Sequence, residues 1–256
     1  MNTVFPSVFL SHGAPTLPLE HHGAVPFLKG LGVKLGKPKA ILVVSAHWET
    51  QQPTLSTSAQ PETIHDFYGF PQELYNWQYG APGAPAFIDE TASLLENGGF
   101  PVELDHGRGL DHGAWIPLML MYPSADIPVF QLSIQHHLGP THHYQMGQAL
   151  KTLRERGVLI LASGSATHNF KDLGSGEPPQ HVREFDHWLD GALQARSLDA
   201  LLNYRSKAPH ARKVHPRDEH LLPVFTALGA GDEEAGAQTL YRGFAHRAFS
   251  MSAWAF

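Results

Sequence analysis

The sequence contains no cysteine among its 256 residues. That excludes a disulfide framework, a cysteine-ligated zinc or iron–sulfur site and a thiol nucleophile, and it fits a reducing compartment. Charge is also scarce. The 18 Lys and Arg and 24 Asp and Glu make up 16% of the chain, against roughly 25% in an average soluble protein. No basic run is longer than a pair and the formal net charge is −6, so the basic stripe of a nucleic-acid-binding protein is missing. No apolar run approaches the roughly 20 residues of a membrane-spanning helix. The opening MNTVFPSVFL has neither the basic n-region nor the long apolar h-region of a signal peptide. The expectation is a cytoplasmic protein without a nucleic-acid or membrane partner.

Histidine, by contrast, is abundant, at 18 residues. It is the side chain most used for metal ligation and for proton transfer near neutral pH. Three adjacent pairs, His21–His22, His136–His137 and His142–His143, lie in polar stretches and read as surface residues. Neighbours on a strand or helix point apart, so such pairs rarely serve one site.

No repeat, low-complexity tract or linker interrupts the chain, and Gly and Pro are spread throughout, so residues 1–256 are expected to form a single domain. Four apolar runs, Ser7–Leu10, Ala40–Ser45, Val129–Ile134 and Val158–Ser163, suit strands buried on both faces. Helical patterns at Ala86–Glu96, His143–Arg156, Phe185–Ala195 and Glu219–Leu228 alternate with them. The fold class is therefore α/β, with a central, largely parallel (mixed) sheet flanked by helices. Pro53–Gly83 is aromatic and rich in Pro and Gly, and a stretch this long without period is more often functional than not.

Three of the strands lead into histidines: His12 in SVFLSHGAP, His47 in AILVVSAHWE and His168 in VLILASGSATHNF. Ligands of open α/β sheets bind at the carboxyl ends of strands, so the three can converge. Taken singly, each is better explained by a loop hydrogen bond than by ligation; the repeated placement after an apolar run is what favours a shared site. His220, in RDEHLLPVF beside Asp218 and Glu219, is a fourth candidate on a helix start. His112 in GLDHGAWIP and His65 in TIHDFYGFP each follow or precede an aspartate and can act as acid/base, substrate contact or loop-fixing residue. A cysteine-free histidine set suits Fe(II), Zn(II) or Mn(II), and open coordination positions permit either hydrolysis or oxygen chemistry.

Seven segments in order resemble the class III extradiol aromatic-ring-cleaving dioxygenases, in their single-chain DOPA 4,5-dioxygenase-like branch. They are SHGAP (11–15), SAHW (45–48), TIHDFYGFP (63–71), LDHGAW (110–115), ADIPVFQLSI (125–134), HN (168–169) and EHLLP (219–223). Ala14 stands where the family more often has Ser. The resemblance implies His12, His47 and His220 as metal ligands. It implies His168 as the acid/base residue, one that also approaches the metal in some members, and His112 as a contact to substrate or dioxygen. Glu219 competes with His220, because the broader class uses two His and one Glu. The implied cofactor is Fe(II), with Zn(II) able to occupy the site in preparations, and the implied partners are a small aromatic diol and O₂. His65, Trp48 and Tyr68 are the candidate substrate contacts, and Phe67 and Trp115 could stack on the ring. Arg205, Lys207, Arg212 and Arg242 are candidate partners for a substrate carboxylate. The small second subunit of some relatives has no counterpart in the sequence, so the chain is expected to act as a monomer or homo-oligomer. Two other readings remain open on the same residues: a zinc-dependent hydrolase and a non-catalytic peptide- or ligand-binding member of the superfold.

Overall fold

The computed structural model describes residues 4–256; the first three residues of the N-terminal segment read above lie outside the described residues. Among the described residues there are ten strands: β1 (Ser7–Ser11), β2 (Ala40–Glu49), β3 (Thr54–Ser56), β4 (Glu103–Asp105), β5 (Val129–Ile134), β6 (Val158–Gly164), β7 (Gln238–Tyr241), β8 (Phe244–Ala245), β9 (Phe249–Ser250) and β10 (Ala253–Ala255). Eight of them form one sheet in the order β4-β3-β5-β2-β6-β1-β10-β7, and β8 and β9 pair separately. The central four, β5-β2-β6-β1, are mutually parallel, while β3 and β10 join them antiparallel. The four apolar runs are thus the parallel centre of a mixed sheet.

The burial pattern follows from strand periodicity. Ile41, Val43, Leu159 and Leu161 enter one core, and Leu42, Val44, Ile160 and Ala162 enter the other, because successive side chains leave opposite faces of a sheet. The helices are α1 (Ala24–Leu35), α2 (Pro85–Asn97), α3 (His112–Met121), α4 (Gly139–Leu150), α5 (Gln180–Gln194), α6 (Leu198–Leu202), α7 (Tyr204–Lys207), α8 (Ala211–Val214) and α9 (Leu222–Ala230). Leu28 and Leu31 of α1 and Trp115, Ile116 and Leu118 of α3 close the first core. Met146 and Leu150 of α4, Phe185 and Leu189 of α5, and Val224 and Phe225 of α9 close the second. None of these helices is long and apolar enough to cross a membrane. α4 and α9 meet backbone to backbone, since a Cβ on Gly229 would lie 1.9 Å from the Tyr144 carbonyl oxygen.

Several sequence readings change. The helix expected over Glu219–Leu228 starts only at Leu222, with Pro223 in its first turn, the position that proline favours. Glu219 and His220 therefore belong to the preceding turn. The helix expected over His143–Arg156 ends at Leu150 and continues as a 3-10 turn to Arg156, closed by left-handed Gly157 (φ 89°). His47 lies inside β2 rather than beyond it, in a stretch where the register against β5 shifts between Val44 and Glu49.

His143, read as a surface residue, is fully buried. Its Nδ1–H donates to the Gly139 carbonyl (2.7 Å) and its Nε2 accepts the Gln135 N–H (3.2 Å), which fixes a neutral ring. Burial lowers its pKa to about 3, and burial likewise lowers that of His215 to about 4. The unfolded chain binds protons at these histidines below about pH 6.5 while the fold does not, so stability falls with pH. Each is expected to remove about 1.4 kcal/mol per pH unit below 6.5 until its own lowered pKa is reached. Urea titrations of the metal-free protein at pH 7 and pH 5 check this, and equal stability at both values contradicts it.

Candidate metal centre

The carboxyl ends of β1, β2 and β6 bring three imidazoles together. His12 follows the last residue of β1, and its N–H donates to the Gly164 carbonyl at the end of β6 (3.0 Å). His47 comes from β2 itself. His220 is held by its own carbonyl, which accepts the Ser165 N–H (2.9 Å). Gly164 makes that approach possible, because a Cβ there would lie 2.0 Å from the same carbonyl oxygen. His47 Nε2 lies 3.1 Å from His12 Nε2 and 3.2 Å from His220 Nε2. Nitrogens bound to one divalent ion at about 2.0–2.1 Å sit roughly 2.9–3.4 Å apart at octahedral or tetrahedral angles. The spacing fits a shared ion.

Each ring also has a reason to face inward by Nε2. Ser163 Oγ donates its only proton to the Gly113 carbonyl (2.5 Å), so it must accept from His12 Nδ1–H (2.9 Å). His220 Nδ1–H donates to Glu219 Oε1 at 2.7 Å. His47 Nδ1 lies 3.5 Å from Asp66 Oδ2. A histidine whose Nδ1 carries the hydrogen keeps a bare Nε2 for a metal, and such outer partners are what orient metal-binding rings. Burial drives all three toward the neutral form that ligation needs. It lowers His12 and His220 well below the usual histidine value, and it lowers His47 to about 3, with nearby His112 adding to the effect. Glu219 Oε1 is the hydrogen-bond partner of His220 Nδ1, while Glu219 also lines the cavity and its buried Oε2 has no hydrogen-bond partner among the described residues.

Two further histidines flank the cluster. His168 stacks on His220, with ring centroids 3.6 Å apart and planes 12° apart, and Phe249 stacks on its other side at 5.3 Å. Burial, helped by nearby His215, lowers its pKa to about 4. His112 opens α3 and its ring centroid lies 4.0 Å from that of His47. Asp111 caps the helix by accepting the Ala114 N–H, and it is fully buried between Ser45 Oγ (2.6 Å) and the Arg108 guanidinium (2.8 Å). This ties the start of α3 to β2. Asp66 accepts both the backbone N–H (2.8 Å) and the Nδ1–H (3.0 Å) of His112. Burial opposes its charge, but these hydrogen bonds prevail and hold its pKa near 2.

All five histidines line one cavity of about 480 Å³, within the size range of small-molecule sites. Ala14, Phe67, Tyr68, Phe70, Phe170 and Phe249 supply aromatic and apolar wall. Tyr68 is 91% exposed at the mouth. The other expected substrate contacts lie elsewhere. Trp48 is next to His47 on a strand and therefore points the opposite way, under the Arg108 guanidinium (5.1 Å). His65 hydrogen-bonds the Trp77 carbonyl (3.0 Å), and Trp115 is buried behind Phe67, donating to the Ile64 carbonyl. None of Arg205, Lys207, Arg212 and Arg242 lines the cavity. Arg205 pairs with Asp218, Lys207 with Asp199 and Arg242 with Asp186 and Asp190. Ser163, Asp66, Phe170 and Phe249 carry no role in the sequence reading. Of these Asp66, Ser163 and Phe170 sit in segments already singled out, and Phe249 does not.

His220→Ala is expected to abolish tight binding of Zn(II) to the metal-free protein. Glu219→Gln, which keeps the inward imidazole but loses its anionic anchor, is expected to weaken binding by about 10–100-fold. Chelator-competition titrations check this; the reverse order of severity would make Glu219 the ligand.

Comparisons with known proteins place the chain in a family. Residues 8–256 match the family described as the catalytic LigB subunit of aromatic ring-opening dioxygenase. A Beta vulgaris protein named 4,5-DOPA dioxygenase extradiol is 46% identical over 243 residues, covering 91% of this chain and 89% of its own. A Portulaca grandiflora protein of the same name is 43% identical, covering 98% and 95%. One from Escherichia coli K12 is 38% identical, covering 90% and 87%. A crystal structure of an uncharacterized Escherichia coli K12 protein superposes with a TM-score of 0.82 at 31% identity, covering 98% of this chain and 99% of that one. The chain belongs to the LigB family and is an enzyme of the extradiol ring-opening dioxygenase class.

Proposed function

We propose that this enzyme is a non-haem Fe(II)-dependent dioxygenase that opens the ring of a catechol, of DOPA-like type, beside its two hydroxyls. The reading treats the chain as one catalytic domain working in the cytoplasm, alone or as a homo-oligomer. The observation that carries it is the convergence of three neutral Nε2 atoms on the floor of an aromatic-walled cavity, with two further histidines at its sides. His12, His47 and His220 hold the metal. When bound, ferrous iron supplies the charge that acidifies a catechol hydroxyl and the redox contact between the diol and O₂.

The chain's own residues do the rest. His168 is neutral and wedged between His220 and Phe249, so its ring cannot swing away from the cavity. It takes a proton from the diol and returns it as the ring opens. His112 contacts the diol from the opposite side, with its Nδ1 held by Asp66. Phe67, edge-on to His112 with centroids 5.8 Å apart, and Phe170 and Phe249 bracket the aromatic ring and exclude water. The overall change inserts both atoms of O₂: the carbon–carbon bond next to the diol breaks, and an aldehyde and a carboxylic acid form.

The test is oxygen uptake by protein stripped of metal and reloaded anaerobically with Fe(II), using a panel of catechols that includes L-DOPA. Uptake matched to a yellow ring-opened product, and absent with Zn(II), is expected. His168→Ala is expected to retain metal and lose turnover by orders of magnitude; wild-type turnover in that variant would remove the proton-transfer role. An absence of uptake with every catechol tested, from protein holding iron, would overturn the reading and favour hydrolysis or binding.

A further inference from the structure

Asp66 touches two histidines of the centre. Its Oδ1 accepts the backbone N–H of His112, and its Oδ2 lies 3.0 Å from His112 Nδ1 and 3.5 Å from His47 Nδ1. The segment around it has no regular secondary structure but is pinned. Ile64 N–H donates to the Leu110 carbonyl and Leu110 N–H to the Glu62 carbonyl, both at 2.7 Å. Trp115 Nε1–H donates to the Ile64 carbonyl at 3.0 Å, and Thr63 Oγ1 accepts the Tyr79 N–H at 2.8 Å. The carboxylate is therefore delivered to one place by a frame that reaches into α3.

We propose that Asp66 is a positioning residue that sets the tautomer of His47 and His112 together. The inference rests on the reading of His47 as a metal-holding residue. An ionised carboxylate only accepts hydrogen bonds, so each Nδ1 that faces it carries the hydrogen. A ring that holds a single hydrogen therefore holds it at Nδ1 and keeps Nε2 bare. On His47 the bare Nε2 is the atom that meets His12 and His220. On His112 it turns the ring toward accepting a hydrogen from a substrate hydroxyl. One acid thereby couples the metal side of the cavity to the substrate side, which gives the TIHDFYGFP segment a role beyond forming wall.

Asp66→Asn isolates this role. The amide oxygen has to stay with the His112 N–H, a donor fixed in the first turn of α3. The NH₂ group then replaces Oδ2 and presents hydrogens to both Nδ1 atoms. Both rings are driven to the other tautomer, with Nε2–H directed into the cavity. In a serine-protease triad the same exchange leaves geometry intact and costs about 10⁴ in kcat. Three readouts are made on Asp66→Asn and Asp66→Glu: histidine ¹⁵N chemical shifts of the metal-free protein, Zn(II) affinity by chelator competition, and Tm.

The expected result has three parts. Wild type shows Nδ1–H tautomers at His47 and His112, which Asp66→Asn inverts. Asp66→Asn loses about 10–100-fold in Zn(II) affinity with little change in Tm. Asp66→Glu, still an acceptor-only side chain, recovers most of that affinity. Unchanged tautomers and affinity in Asp66→Asn overturn the proposal. So does equal loss of affinity in both variants that tracks a shared fall in Tm, which marks a merely structural residue. Wild-type protein that binds no Zn(II) would overturn the metal-centre reading and this proposal with it, whereas wild-type binding with an unaffected Asp66→Asn overturns this proposal alone.

Discussion

The site depends on keeping a crowd of imidazoles neutral. Five histidine rings share one cavity, and if protonated they would repel one another in a place where water cannot screen them. Burial settles this by disfavouring the charged form, and it does so at His12, His47, His168 and His220. Neutrality alone leaves each ring two tautomers. The choice is made by the hydrogen bond on the far side, to Ser163 for His12, Glu219 for His220 and Asp66 for His112, while the Asp66 carboxylate also faces His47 Nδ1 at 3.5 Å. The metal centre is thus a set of Nε2 lone pairs defined from behind, and the fold's task is to deliver those rear partners.

The parallel sheet performs most of that delivery. β1, β2 and β6 run side by side in the same direction, so their carboxyl ends fall at one edge of the sheet. Backbone contacts then lock the loops to that edge, with His12 bonded to Gly164 and Ser165 bonded to His220. Each contact spans more than 50 residues of sequence, which makes the geometry a property of the whole sheet rather than of any one loop. α3 adds His112 through the buried Asp111–Arg108–Ser45 contacts, and the loop before it adds Asp66.

Much of this was legible in the sequence. Apolar runs buried on both faces carry an unambiguous strand signal, and all four became the parallel centre. The histidines that follow those runs were legible as a group because a parallel sheet places such positions together. Other features were hidden for physical reasons. Whether Glu219 or His220 turns inward depends on where the helix begins, and Pro223 moves that point past both. The partnership of Ser163 with His12 is a contact between strands far apart in sequence, with no local pattern to announce it. Asp66 was visible in its segment but its role needs α3 folded beside it. Trp48 shows the opposite case: strand alternation next to an inward His47 already implies that it faces away. His143 looks like a surface residue by its polar neighbours, and only the packing of α4 against α9 and α2 and its closure onto the Gln135 backbone bury it.

The central claim is that this cavity carries out dioxygenation, and isotopic labelling tests it most directly. Iron-loaded enzyme would turn over a catechol under ¹⁸O₂, with the aldehyde trapped before it exchanges with water and the product analysed by mass spectrometry. The account requires both labelled atoms in the ring-opened product, one in the aldehyde and one in the carboxylate. A product carrying one labelled atom or none would contradict it, whatever the rate of oxygen consumption.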